Sequence, residues 1–117
     1  KNMSNYYFRT LQTPEYRYQR WDATSTLAIW TPRTGNKFVV TGFTLTNNNA
    51  AGTFILSIGS TSTDPVKIAQ FTIAASASIA PVFDAISSTG VNYVLWGRPS
   101  VSATDGYHIT VTGFEVE

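Results

Sequence analysis

The chain has 117 residues, of which 13% are charged, and its formal net charge at pH 7 is +1. This length is typical of one domain, the charged fraction is about half of the ~25% usual for soluble domains, and 43% hydrophobic residues exclude a globally disordered chain. The absence of cysteine excludes disulfides, thiolate zinc sites and cysteine nucleophiles, and no apolar run reaches the length of a membrane-spanning helix.

Short runs rich in β-branched and aromatic residues follow one another along the chain, separated by Gly, Pro, Asn, Asp and Ser. In chain order they predict strands at residues 6–11, 26–30, 37–46, 53–58, 67–73, 78–82, 92–96 and 107–116. Eight short strands at this spacing are typical of β-sandwiches and jelly rolls. We therefore expect an all-β protein with a single antiparallel β-sandwich at residues 22–117, a jelly roll being the favoured topology. Residues 1–21 are expected to form an N-terminal arm or an edge strand.

The arm is the densest candidate for binding, because it holds six of the 16 aromatic residues together with three arginines. These candidate contact residues are Tyr6, Tyr7, Phe8, Arg9, Tyr16, Arg17, Tyr18, Arg20 and Trp21. In an extended chain, Tyr16, Tyr18 and Arg20 point to one side and the residues between them to the other. Tyr, Trp and Arg are enriched at protein–protein contacts, which is the favoured interpretation. Aromatic stacking on sugar rings is the second, and stacking on the bases of a nucleic acid is the third.

Charge is distributed unevenly along the chain. Residues 1–37 carry six basic and two acidic side chains, whereas residues 38–117 carry two basic and five acidic ones. The basic part of one copy can therefore meet the acidic part of another. A charge of +4 over the first 37 residues is too small to indicate a nucleic-acid partner.

Two segments repeat at an offset of 71 residues, KFVVTGFTL at 37–45 and HITVTGFEV at 108–116. In both segments the apolar positions change parity at a Thr-Gly pair. Since side chains alternate strictly along a regular strand, one extra residue at this point would return the apolar side chains to the core. The repeat therefore predicts a β-bulge at Gly42 and another at Gly113. It also places the two strands side by side and antiparallel in one sheet.

Candidates outside the arm are few. Trp96 ends a predicted strand, and Arg98 lies in the loop that follows. The pair is a secondary surface candidate, although capping of the sandwich end by Trp96 is the favoured interpretation. His108, the only histidine, is expected to face solvent or a partner. No nucleophile elbow, calcium loop or phosphate loop is present. We therefore expect no catalytic residue, no metal ligand and no cofactor.

Four features of residues 27–116 form a recognisable series. They are the Trp-x-Pro-x-x-Gly-x-Lys turn at 30–37, the Thr-Gly-Phe strand that follows it, the Asn-rich hairpin at 46–52 and the closing TVTGFEV strand at 110–116. This series resembles the small jelly-roll modules of tailed-phage virion proteins, which include head decoration (cement) proteins, head fibres and tail accessory proteins. The resemblance implies a homo-oligomer, often a trimer, bound to a capsid or tail protein. It also implies a place in the virion, assembled in the host cytoplasm.

These observations together favour a non-enzymatic structural protein that acts by protein–protein binding and homo-oligomerisation. Sparse charge agrees with this expectation, because charged side chains are costly to bury at an interface. The main alternative is a carbohydrate-binding or receptor-binding β-sandwich module. It would use some of the following on an exposed face: Tyr16, Tyr18, Trp21, Trp30 and Trp96. A hydrolase is a distant third.

Overall fold

The structure of the chain is a computed structural model that describes residues 14–101 and 106–117. Within these residues the chain forms nine strands. They are β1 (Glu15–Trp21), β2 (Leu27–Trp30), β3 (Lys37–Asn47), β4 (Gly52–Gly59), β5 (Val66–Ile73), β6 (Ala77–Ile79), β7 (Ile86–Ser87), β8 (Val94–Pro99) and β9 (Tyr107–Val116). The strand predicted at 6–11 lies outside the described residues. The remaining seven predicted strands are each present, β9 with its predicted bounds, whereas β1 and β7 were not among them.

The strands form two antiparallel sheets. The first sheet has the order β1-β9-β3-β6, with the short β7 also pairing with β3, and the second has the order β2-β8-β4-β5. Strands β6 and β7 pair with different parts of β3, so they act as one interrupted edge strand. Counted in this way, the orders become 1-8-3-6 and 2-7-4-5, which is the strand order of a jelly roll. The predicted all-β antiparallel sandwich is confirmed.

The inner faces of the two sheets form one continuous core rich in large aromatic side chains. Trp21, Trp30, Phe38, Phe54 and Tyr107 are all fully buried, and the rings of Trp21 and Phe54 meet edge to face with centroids 4.9 Å apart. Complete burial of a large apolar side chain stabilises the fold by about 1.5–3 kcal/mol relative to exposure. The core is therefore large enough to hold the sandwich together without a disulfide.

The bulge predicted in β3 is present, whereas the bulge predicted in β9 is wrong. Strands β3 and β9 pair antiparallel as expected, and the register shifts between Val40, opposite Gly113, and Gly42, opposite Thr112. In β9, buried and more exposed residues alternate without interruption, and Glu115 takes an inward position. The sequence pattern put Phe114 and Val116 on the inward side and therefore Glu115 on the outside, but hydrogen-bond donors surround the Glu115 carboxylate in the core.

Candidate functional site

Strand β1 forms an edge of the first sheet and presents two tyrosines to solvent. Among the described residues β1 pairs only with β9, and Tyr16 and Tyr18 are 66% and 57% exposed. Arg20 is also exposed on this side, whereas Trp21 belongs to the core with 1% exposure. Side chains of β1 thus alternate between the two sides as the sequence predicts.

Five of the nine arm candidates lie within the described residues, and two of these, Trp21 and Arg17, do not occupy the contact positions expected. Tyr6, Tyr7, Phe8 and Arg9 lie outside the described residues. Trp21 was a candidate for an exposed contact, but its ring packs in the core and its indole N–H donates to the Ser25 carbonyl at 3.0 Å.

The outer face of the first sheet is broad and uncharged at its centre. We call the following residues the Tyr–Thr face: Tyr16, Tyr18, Val39, Gly42, Thr44, Thr110, Thr112 and Phe114. The strand registers place them in rows across β1, β9 and β3. Tyr16, Thr112 and Gly42 form one row, and Tyr18, Thr110 and Thr44 form the next. Charged side chains of these three strands reach the face only at its two ends, through Arg20 and Lys37.

The Tyr–Thr face has the composition of a protein contact surface. Interface cores are enriched in aromatic residues and depleted in charged ones, and tyrosine combines a large apolar ring with a polar tip. The hydroxyl of Tyr18 shares a hydrogen bond with Nδ1 of His108, which is half-buried on the same face. This bond restricts the Tyr18 ring, so less side-chain entropy is lost when a partner covers it. His108 faces outward, as predicted.

A buried carboxylate lies beneath the turn that joins β2 to β3. The Glu115 side chain is 0% exposed and accepts hydrogen bonds from the Trp30 indole N–H at 2.8 Å, the Arg33 backbone N–H at 3.0 Å and the Asn36 amide at 3.0 Å. Burial raises the pKa of Glu115, but these hydrogen bonds and the nearby Arg33 charge outweigh it and hold the pKa below its usual value. Glu115 is therefore a permanently charged structural anchor at neutral pH.

Two arginines connect this anchor to β1. The Arg17 guanidinium lies 4.3 Å from the ring centroid of Trp30 and 2.9 Å from the Glu15 carboxylate. Arg33 contacts the same carboxylate at 2.8 Å and Glu115 at 3.2 Å. Hydrogen bonds from Arg33 and then Arg17 lower the pKa of Glu15, and in return Glu15 raises the pKa of Arg33. Arg17 was predicted as a partner contact, but its guanidinium is engaged within the chain.

The charged side chains of Glu15, Arg17, Arg33 and Glu115 form an ion cluster, and this cluster also holds Trp30 in place. Trp30 is fully buried against Arg17 and bonded to Glu115, so it is unavailable as the exposed sugar platform that was considered. Sequence reasoning missed this cluster because its members come from the two ends of the described chain, Glu15 and Arg17 in β1 and Glu115 in β9. The one available signal was a lone glutamate among the apolar residues of a predicted strand.

The outer face of the second sheet carries a polar groove of about 440 Å³. The structure brings the predicted pair Trp96 and Arg98 together here with Lys67 and Asp64. The indole N–H of Trp96 donates to the Gly59 carbonyl at 3.0 Å, which fixes the orientation of the ring. Lys67 and Asp64 were not among the predicted site residues, because only the pairing of β4 with β5 and β8 places them beside Trp96.

A second groove, of about 490 Å³, is apolar and lies between the edge strand β5 and the segment 81–89. Its lining includes Ile68, Phe71, Val82, Phe83 and the edge of Phe43. The rings of Phe43 and Phe71, and those of Phe43 and Phe83, have centroids 5.5 Å apart. No feature of the sequence singled out this groove, because its two walls come from separate sheets.

Residues 14–101 and 106–117 offer neither a group of three acidic, histidine or cysteine side chains placed to hold a metal ion nor a helix long and apolar enough to cross a bilayer. The prediction that the chain needs no cofactor stays a prediction.

Comparison with known proteins finds no matching family model and no matching curated protein. Among solved structures, the chain is similar to one described with the words "Bacillus endospore appendages form a novel family of disulfide-linked pili". The two share 10% sequence identity with a TM-score of 0.51, over 90% of this chain and 88% of the other. At this identity the likeness concerns the fold alone. The fold and the surface together define a class, a jelly-roll domain whose first sheet has an outer face that is uncharged at its centre.

Proposed function

We propose that the protein is a non-enzymatic structural subunit that works by packing its Tyr–Thr face against another copy of itself. The observation that carries this proposal is the absence of charged side chains from the centre of that face, where two exposed tyrosines stand in rows with threonines. Covering such a face removes apolar and hydroxyl surface from water without burying an unpaired charge. The uncharged rows therefore favour association over solvation.

The finer proposal places this subunit in a phage virion, as a capsid decoration protein or another virion accessory protein, with a trimer as the favoured oligomer. Support for it comes from the Trp30 turn, the Thr-Gly-Phe strand and the closing strand, which resemble the phage jelly-roll modules. The fold shared with a structure described as belonging to pili supports only the more general proposal, that this chain is a structural subunit of an assembly. The virion setting is tested by mixing the purified protein with phage particles that were made without it and asking whether the protein co-purifies with them. Failure to bind any particle contradicts this setting.

Light scattering with one charge placed on the face tests the proposed function. Thr110 is exposed at the centre of the face, so Thr110→Lys leaves the core intact and forces a charge into the contact. We expect the unmodified chain to have the mass of an oligomer and Thr110→Lys to associate at least about tenfold more weakly. Thr63→Lys is the matched control, because Thr63 is an exposed threonine in the loop between β4 and β5 of the other sheet. A monomeric unmodified chain, or equal masses for both variants, contradicts the proposal.

A second candidate function, glycan binding, rests on the polar groove of the second sheet. There the oriented indole of Trp96 stands beside Arg98, Lys67 and Asp64. An aromatic ring can stack on a sugar, and the two cations favour a saccharide that carries an acidic group. Titration calorimetry with acidic oligosaccharides tests this function. Trp96→Ala should abolish the heat of binding without changing the oligomer mass, and binding that survives Trp96→Ala excludes the groove.

A further inference from the structure

The apolar groove coincides with an open sheet edge. Strand β5 ends the order of the second sheet, so in the described part of the chain no strand pairs with its outer side. This edge is eight residues long and contains one charged residue, Lys67. Long edges with little charge readily accept an added strand. Alongside it, Val82 is 100% exposed and Ile68 39% exposed. Backbone groups and an apolar surface are thus both available at one place.

We propose that residues 6–11 of one copy dock along β5 of a second copy, with aromatic side chains in the apolar groove. This inference rests on the proposed function, since it names one of the contacts through which copies associate. Residues 6–11 read YYFRTL, which was predicted as a strand and precedes the described residues. In an added strand the backbone supplies hydrogen bonds and alternate side chains fill a groove. Tyr6 and Phe8 share one side of such a strand.

Chain length decides between a second copy and the same copy. Strands β1 and β5 lie at opposite edges of the sandwich, because the edge strand β1 contacts β2 of the second sheet, whereas β5 contacts β6, at the other edge of the first sheet. Three strand spacings of about 4.8 Å, combined with about 10 Å between the sheets, separate these edges by at least roughly 17 Å. The Cα atoms of Leu11 and Glu15 are four residues apart and span at most about 14 Å. Leu11 therefore cannot lie along β5 of its own copy, so the whole segment 6–11 docks only on β5 of another copy.

The chemistry of the segment matches that of the groove. Phe43, Phe71 and Phe83 line the groove with ring faces and edges that pack well against further aromatic rings. The one charge in residues 6–11 belongs to Arg9, and Asp84 lies in the chain between the lining residues Phe83 and Ala85. An Arg9–Asp84 contact at the rim would give the docked strand a preferred direction.

Photo-crosslinking in the full chain tests this inference without assuming a register. Phe8→p-benzoylphenylalanine is introduced into unlabelled protein, which is mixed with ¹⁵N-labelled unmodified protein and illuminated. Mass spectrometry then identifies the residue captured and the copy to which it belongs. We expect capture within Val66–Ile73 or residues 81–89, with labelled and unlabelled peptides in the mixing ratio. Tyr16→p-benzoylphenylalanine is the matched control and should capture neither segment, because its ring belongs to the Tyr–Thr face and not to the docked segment.

Val82→Glu provides the second arm of the experiment. Val82 is fully exposed, so the substitution should leave the melting temperature unchanged while reducing capture at the groove by about tenfold or more. Val91→Glu, at another exposed valine, should leave capture unchanged.

The outcomes separate this inference from the proposed function. Capture of unlabelled peptides alone shows docking within one copy and overturns the second-copy assignment. Capture elsewhere, or none, in a chain that still scatters as an oligomer overturns the groove and leaves the proposed function standing. No capture by a chain that scatters as a monomer overturns both.

Discussion

Trp30 donates its indole N–H to the buried carboxylate of Glu115, 2.8 Å away and 85 residues later in the chain. Trp30 ends β2 in the second sheet, whereas Glu115 lies in β9 of the first. The bond therefore joins the two sheets at a point where a sandwich normally relies on apolar packing. Arg33 and Asn36, from the turn that follows β2, complete the set of donors around the carboxylate.

Glu115→Gln should destabilise the protein far more than Glu15→Gln, although both residues contact Arg33. Glutamine at 115 turns an amide towards donors that already point inward, which leaves buried groups unsatisfied at a cost of about 1–3 kcal/mol. Glu15 belongs to a partly exposed ion pair with Arg33 and Arg17, and such pairs contribute about 0–1 kcal/mol. Urea unfolding of both variants measures the difference. Equal losses would show that Glu115 is not the anchor.

Acid should destabilise the protein through Glu115. Its hydrogen bonds from Trp30, Asn36 and Arg33 outweigh burial, so the pKa of the folded state lies below the ordinary 4.5. The unfolded chain then binds more protons as the pH falls, and stability that is fully present above about pH 4.5 is lost as the pH passes through the folded-state pKa. We expect the melting temperature to drop below pH 4.5 and the drop to be shallower in Glu115→Gln. If the melting temperature fell equally with pH in the unmodified protein and in Glu115→Gln, Glu115 would not be the group responsible.

The two glycines of the repeated Thr-Gly-Phe sequence should respond differently to alanine. A Cβ at Gly113 would overlap the carbonyl oxygen of Val39, a backbone group that cannot rotate away, whereas one at Gly42 would make an ordinary contact of 3.4 Å with the Thr112 side chain. Gly113→Ala should therefore lose about 1–3 kcal/mol of unfolding free energy. Gly42→Ala should stay within about 0.5 kcal/mol of the unmodified chain. Thermal melts of the pair decide the matter, and a tolerated Gly113→Ala would be inconsistent with this packing.

Asn47→Ala should be strongly destabilising for a residue of its size. Asn47 is 0% exposed, and its amide donates to the carbonyls of Ala50, Ile73 and Ala74 at 3.0–3.3 Å. Alanine would leave these buried or partly buried carbonyls without their donor, at a cost of about 1–3 kcal/mol. Thr44→Ala, at an exposed position of the same strand, is the control and should change stability by less than about 0.5 kcal/mol.

The sequence predicted a strand well where turn residues such as Gly, Pro, Asn or Asp delimit the run of β-branched and aromatic residues. Strand β9 begins after Gly106 and keeps strict alternation, so its bounds were predicted to the residue. The bulge of β3 was predicted because Phe38 and Phe43 must both reach the core. Strand β7 was missed since two residues, Ile86 and Ser87, are too few to produce a periodic pattern.

The candidate surface was predictable in part. Alternation placed Tyr16 and Tyr18 on the exposed side of β1, but the threonines beside them come from β9 and β3, whose register is a property of the folded sheet. Trp21 was a contact candidate because arginines interleave with aromatic residues before it in sequence, and Trp30 was considered as a platform for a sugar. Only tertiary pairing shows that one ring fills the core and the other takes a cation–π contact from Arg17.

Strand β9 lies between β1 and β3, so both of its edges are hydrogen-bonded although it is synthesised after them. A nascent chain that lacks residues 107–116 has neither the middle of the first sheet nor the carboxylate of Glu115. Contacts between residues so distant in sequence form late and slow the folding of β-sandwiches. The domain must therefore complete its fold after its last strand has been made, and assembly with other copies is postponed until translation of that strand has finished.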